Sequence, residues 1–103
     1  MQGVRLTDHY VEVIRKTFKE YFADEDHLWL FGSRANLSKK GGDIDLYIET
    51  TLSDISNITD AKFAFLIELE KQLGEQKIDV VIKYNDQSLL IYDIARKEGV
   101  QLV

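Results

Sequence analysis

The stretch that decides the fold reads LWLFGSR over residues 28–34 and returns, after a short loop, as DIDLYIE over residues 43–49. An apolar run ends abruptly at Gly32 and Ser33, and a second extended run begins with two carboxylates separated by one residue. Side chains alternate between the faces of a strand, so Asp43, Asp45 and Tyr47 are expected on one face. The apolar residues between them are expected on the other. The stretch therefore predicts two strands, the second of which carries paired carboxylates on one face.

The chemistry of these residues points to a phosphorylated ligand and a cation. Two carboxylates on one strand face repel each other and lose hydration, and a bound cation offsets that cost. A Gly32-Ser33 turn that opens a short helix offers backbone N–H groups and a hydroxyl to a phosphate, although simple helix capping uses the same residues. Arg34 can reach the same phosphates, but an exposed arginine at this place needs no such role. The sequence predicts a site for a nucleoside triphosphate and Mg²⁺.

The motif resembles that of a known superfamily. Phe31-Gly32-Ser33, followed by Asp43-Ile44-Asp45-Leu46, is similar to the hydrophobic-Gly-Ser … Asp-x-Asp motif of the DNA polymerase beta superfamily of nucleotidyltransferases. Within it, the chain resembles the minimal nucleotidyltransferases (MNT), small bacterial and archaeal proteins often partnered with a HEPN protein. A leading helix, a later strand with a third carboxylate at Asp79, and the ending at residues 94–100 extend the resemblance over nearly the whole chain.

The resemblance implies a function. The implied reaction is transfer of a nucleoside monophosphate, most simply AMP from ATP, to a hydroxyl. Two Mg²⁺ ions would take part, and the implied catalytic and metal-binding residues are Asp43, Asp45 and Asp79. Gly32, Ser33 and Arg34 are then the residues that bind the nucleotide. The implied acceptor is a tyrosine of a HEPN RNase toxin, with this chain as its antitoxin. Two alternatives stay open: transfer to a small hydroxylated molecule such as an aminoglycoside, and a non-catalytic antitoxin that acts by binding alone.

Composition limits the class of protein. The 103 residues leave room for one core, so we expect a single domain over 1–103. The absence of cysteine excludes disulfides and suits a cytoplasmic location. No apolar segment is long enough to suggest a membrane span. The net charge of −5 argues against an extended nucleic-acid surface, because phosphate backbones are held by clustered lysine and arginine. Lys39 and Lys40 are expected to be solvated loop residues rather than a phosphate clamp.

Apolar periodicity predicts the remaining elements. Helices are expected from Thr7 or Asp8 to about residue 22, over 32–37, over 61–73 and over 88–97, and strands over 27–31, 43–49, 78–83 and 100–103. The first strand is apolar on both faces and is expected at the centre of the sheet. The expected fold class is α/β (α+β), a small mixed β-sheet with helices mainly on one face, as in a polymerase-beta-like nucleotidyltransferase core.

Two helical segments carry the remaining predictions. The helix over 61–73 is expected to end at Gly74 and to turn five apolar residues inward: Phe63, Leu66, Ile67, Leu69 and Leu73. Near the C-terminus an apolar cluster is interpreted either as a core helix, which periodicity favours, or as a docking face for a partner protein. Its residues are Leu89, Leu90, Ile91, Tyr92 and Ile94.

Overall fold

The computed structural model describes residues 6–32, 43–74, 77–83 and 89–103. In chain order the elements are α1 (Asp8–Tyr21), β1 (His27–Phe31), β2 (Ile44–Glu49), α2 (Ile55–Leu73), β3 (Ile78–Lys83), α3 (Leu90–Glu98) and β4 (Val100–Gln101). The four strands lie where the sequence predicts them, to within two residues at each end. Apart from Gly32, the short helix predicted over 32–37 lies outside the described residues. None of the described helices combines the length and the apolar character needed to cross a bilayer.

The sheet has the strand order β3-β2-β1-β4. Strand β1 pairs antiparallel with both β2 and β4, whereas β2 and β3 run parallel. The predicted central position of β1 is confirmed. Leu28 and Leu30 are fully buried on one of its faces, and Trp29 is buried on the other, so the continuous apolar run of β1 reflects contact with helices on both sides of the sheet.

The two faces of the sheet are covered unequally. Helices α1 and α2 pack against one face, where Phe18 and Phe65 meet edge to face at 6.1 Å and join the alternate residues of β1, β2 and β3 in the main core. The shorter α3 packs against the opposite face, where Tyr92 stacks on Tyr47 at 5.6 Å. The expected fold class is confirmed: a mixed sheet with the two longest helices on one face.

Helix α2 begins at Ile55, six residues earlier than predicted. Asp54 caps the helix by accepting a hydrogen bond from the Ser56 backbone N–H at 2.8 Å. The first turn is rich in residues that favour turns, yet Ile58 is buried against the core. Tertiary burial of one apolar side chain outweighs the weak helix propensity of its polar neighbours, which all face solvent.

The apolar residues of α2 do not all turn inward. Leu69 and Leu73 are buried as predicted, and Leu66 is half-buried. Phe63 and Ile67 are 57% and 60% exposed, so their predicted inward positions are wrong. The helix carries two apolar stripes, and the buried stripe passes through Phe65 instead. Gly74 ends the helix as predicted, with a φ of +80° that favours glycine.

A buried carboxylate ties two connections together. Asp26 is fully buried in the turn before β1. It accepts hydrogen bonds from the Ala23 N–H at 3.0 Å, the Thr50 hydroxyl at 2.8 Å, the Thr51 N–H at 2.8 Å and the Thr51 hydroxyl at 3.0 Å. Its partners at Thr50 and Thr51 are more than twenty residues away, so only the folded chain shows the role.

We predict that Asp26→Ala lowers the free energy of unfolding by about 3 kcal/mol, because two backbone N–H groups and two hydroxyls lose their acceptor. The measurement is urea unfolding followed by circular dichroism. The matched control is Asp24→Ala in the same turn, where the side chain is exposed, and it should change stability by no more than about 0.5 kcal/mol. Equal stability of the two variants would show that the Asp26 hydrogen bonds do not hold the turn.

Candidate active site

The structure brings the three predicted carboxylates to one end and one face of the sheet. Asp45 on β2 lies directly beside Asp79 on β3 in the parallel register. Asp43 immediately precedes β2, next to the point where the Ile44 N–H donates to the Lys77 carbonyl at 3.0 Å. The alternate residues of both strands belong to the core under α1 and α2. The carboxylates therefore lie on the opposite face, as the alternation of the sequence predicts.

Electrostatics shows that these carboxylates act on one another. Partial burial raises the pKa of Asp45, and the negative charges of Asp79 and Asp43 raise it further, while Lys77 opposes the shift. The Lys77 Nζ lies 3.5 Å from Asp43 Oδ2, with both side chains largely exposed. Such a pair compensates the local negative charge only weakly, because water screens it. The site therefore concentrates negative charge that one lysine does not balance.

This donor set fits Mg²⁺ in part. Within the described ranges, no three acidic or histidine side chains are clustered closely enough to hold an ion by themselves. Magnesium is typically bound through one or two carboxylates, with water and substrate phosphates filling the other positions. Asp43, Asp45 and Asp79 supply the hard oxygen ligands that this cation prefers, and a phosphate would have to supply the rest. The arrangement suits a metal ion that binds together with a nucleotide.

Gly32 connects the predicted phosphate-binding turn to the carboxylates. Its φ of +75° lies in the left-handed region, and a Cβ at this position would collide with the Asp45 carboxylate. The contact follows from the antiparallel register, which sets Phe31 opposite Asp45 and so places the next residue beside the same side chain. Ser33 and Arg34 lie outside the described residues, so their predicted positions near the nucleotide stay predictions. Lys39 and Lys40 also lie outside them, and their assignment as solvated loop residues stays a prediction too.

The other end of the carboxylate-bearing face is structural. Tyr47, two residues along β2 from Asp45, is fully buried beneath α3. Its hydroxyl donates to Glu49 at 2.8 Å, and burial raises the pKa of Tyr47 well above its usual value. The Arg96 Nε lies 3.4 Å from Glu49 Oε2, and the Arg96 Cζ lies 5.6 Å from the centre of the Trp29 ring. This aromatic cluster anchors α3 to the sheet and leaves Asp45 and Asp79 uncovered at the strand end.

Sequence reasoning missed two contributors to the site. The first is Lys77, which was not predicted as a site residue, although it stands two residues before Asp79 in the chain. The steric dependence of Gly32 on Asp45 was also missed, since it requires the pairing of β1 with β2.

We predict that Gly32→Ala lowers stability by about 2 kcal/mol, since the methyl group must displace the Asp45 carboxylate in addition to the cost of a left-handed backbone. Gly74→Ala is the matched control, because Gly74 has a similar φ of +80° but open space around its Cβ position. It should cost only about 1 kcal/mol. In an Asp45→Ala background the cost of Gly32→Ala should fall to the control value. An unchanged cost in that background would contradict the contact.

We predict that Asp45→Asn raises the melting temperature of the metal-free protein at neutral pH. The pKa of Asp45 is raised on folding, so the stability linked to its protonated form is lost as the pH rises through that folded pKa. The uncharged amide avoids this loss. The gain should therefore disappear as the pH falls below the ordinary carboxyl pKa of about 4.

Thermal melts in EDTA across this pH range test the prediction, with the exposed Asp24→Asn as control. A variant that is less stable than wild type at neutral pH would contradict the repulsion.

Comparison with known proteins identifies the family. The family described as polymerase beta, nucleotidyltransferase matches residues 12–103, which include most of α1 and every later element. No curated protein matches the chain. The matched range includes Gly32, Ser33 and all three carboxylates. Proteins with this domain generally use a nucleoside triphosphate and a divalent metal, which suits the oxygen-rich strand end described above. The chain belongs to the polymerase beta nucleotidyltransferase family.

Proposed function

We propose that this nucleotidyltransferase is Mg²⁺-dependent and transfers AMP from ATP to a hydroxyl of a partner protein. The partner that we propose is a HEPN-type toxin, which this chain would neutralise as an antitoxin. The observation that carries the proposal is the position of the Asp45 carboxylate, between Asp79 on the neighbouring strand and the bare backbone of Gly32. Among the described glycines, only Gly32 has a carboxylate beside its Cβ position, so we infer that a cation and a triphosphate would lie side by side here.

The residues have separate tasks in the proposed reaction. Asp43 and Asp45 would hold Mg²⁺, which when bound neutralises the charge that develops on the phosphates. The Gly32 N–H and the Ser33 hydroxyl would donate to the departing pyrophosphate. Asp79 is exposed and would accept the proton of the acceptor hydroxyl, or orient it. The acceptor oxygen forms a bond to the α-phosphorus while the bond between the α-phosphorus and the bridging oxygen breaks.

An exposed apolar surface on α3 supports a protein as acceptor. Leu90 is 75% exposed, and Leu89, Ile91 and Ile94 are exposed as well, so the interpretation of these residues as a core helix is wrong. Only Tyr92 of that cluster is buried. Helix α3 packs on the sheet face that carries the carboxylates. A partner that covers the apolar residues would therefore lie on the same side of the sheet as the proposed site, where its hydroxyl can be positioned.

Fewer observations support the two alternatives, which are transfer to a small molecule and neutralisation by binding alone. The net charge of −5 favours a cationic small molecule such as an aminoglycoside, but the exposed α3 surface is apolar rather than acidic. An antitoxin that works by binding alone would gain nothing from placing three carboxylates together, where burial and then the charges of Asp79 and Asp43 raise the pKa of Asp45. A pure binder would also not need a residue without a Cβ beside this carboxylate.

Intact-mass spectrometry with Mg²⁺-ATP and a co-encoded HEPN-type protein tests the proposal. We predict that the wild-type chain adds one or more AMP units to the partner, and that Asp79→Asn binds the partner without adding mass. The matched control, Asp24→Asn, changes an exposed carboxylate in a remote turn and should retain the transfer. A partner that Asp79→Asn neutralises equally well, with no adduct in any sample, would overturn the enzymatic proposal in favour of binding alone. An adduct on an aminoglycoside but not on the protein would favour the small-molecule alternative.

A further inference from the structure

The outer side of α2 carries an apolar pair that the single chain does not use. Phe63 and Ile67 are one helical turn apart and are 57% and 60% exposed. They lie on the side of the helix opposite the buried Phe65 and Leu69. Because α2 covers the sheet face that does not carry the carboxylates, this pair is remote from the proposed site. Large apolar side chains that are exposed beside each other are typical of a surface that another protein covers.

Charged residues flank this pair symmetrically. Asp60 precedes Phe63 by one turn, and Lys71 follows Ile67 by one turn. Both side chains are exposed, and within the described residues neither takes part in an ion pair. Asp60 and Lys71 are separated by eleven residues, just over three turns of about 3.6 residues, so they lie on the same flank of the apolar pair.

The spacing is self-complementary under a two-fold rotation. The midpoint of Phe63 and Ile67 falls at residue 65, and the midpoint of Asp60 and Lys71 falls between residues 65 and 66. One axis perpendicular to α2 at this point would place Phe63 against Ile67 of a second copy. The same axis would place Asp60 beside Lys71 of that copy.

The charges also distinguish the two directions in which the helices could pair. A parallel arrangement would set Asp60 against Asp60 and Lys71 against Lys71, which is repulsive. The charges therefore favour the antiparallel direction.

We propose that α2 is a dimerisation helix, which pairs antiparallel with α2 of a second copy of this chain through Phe63 and Ile67 and through Asp60 and Lys71. The sheet separates α2 from the carboxylates, so both sites of the dimer remain open to substrate. A single helix pair buries less surface than a standard interface of about 1,600 Å², so we expect a weak dimer whose population depends on concentration. The inference does not depend on the proposed function, since none of its residues belongs to the site.

Sedimentation equilibrium of the full chain tests the proposal. The wild-type mass should rise from 11.9 kDa to twice that value as the concentration increases towards about 1 mM. Asp60→Lys and Lys71→Asp should each weaken association at least about tenfold, because each places like charges together at both ends of the pair. An equimolar mixture of the two variants should associate again, since every introduced charge then meets its opposite. Phe63→Ser should abolish association, whereas Leu90→Ser, on the apolar surface of α3, should leave it unchanged.

Three results would overturn the proposal. The first is a wild-type chain that remains at 11.9 kDa over the whole concentration range. The second is a mixture of the charge variants that associates no better than either variant alone, which would exclude the antiparallel register. The third is dissociation by Leu90→Ser but not by Phe63→Ser, which would place the interface on α3. The substituted residues are exposed, so thermal melts of dilute samples should show folded chains in every case.

Discussion

Apolar packing beneath β2 is the constraint on which the arrangement of the candidate site depends. The parallel register of β2 and β3 places the two carboxylates side by side, although their repulsion opposes folding. Burial of Ile44, Leu46 and Ile48 on the reverse face of β2 holds this strand in place. Each apolar side chain removed from water contributes about 1.5–3 kcal/mol, which is enough to impose an unfavourable register on the acids. The core therefore supports a group of acids whose arrangement is unfavourable by itself.

The two halves of the carboxylate-bearing face show how one surface serves both stability and access. Tyr47 and Trp29 lie beneath α3, where stacked and tilted rings at 5.4–5.6 Å bury the middle of the sheet. Two residues along β2 this cover ends, and Asp45 is only half-buried. The aromatic cluster excludes water where packing requires it, while the strand end stays open to ligands. Successive residues on one face of a strand lie about 7 Å apart, so α3 can cover Tyr47 while Asp45 lies beyond the end of that cover.

The surfaces left uncovered lie on opposite sides of the sheet. The apolar residues of α3 lie on the side of the carboxylates, and those of α2 lie on the reverse side. A protein bound to α3 and a second copy bound to α2 would therefore not compete for the same surface. Such a division allows the proposed dimer to present two sites to two acceptors, because neither contact obstructs the other.

The sequence by itself determined the strands, the central position of β1, and the face of β2 that carries Asp43 and Asp45. These features depend on alternation between neighbouring residues, which is local and visible in the chain. Only the tertiary structure decided which apolar stripe of α2 is buried, so the inward positions of Phe63 and Ile67 were predicted wrongly. Tertiary contacts also supply the partners of Asp26 and the contact between Gly32 and Asp45. These features join segments distant in the chain, and periodicity within one segment carries no information about what packs against it.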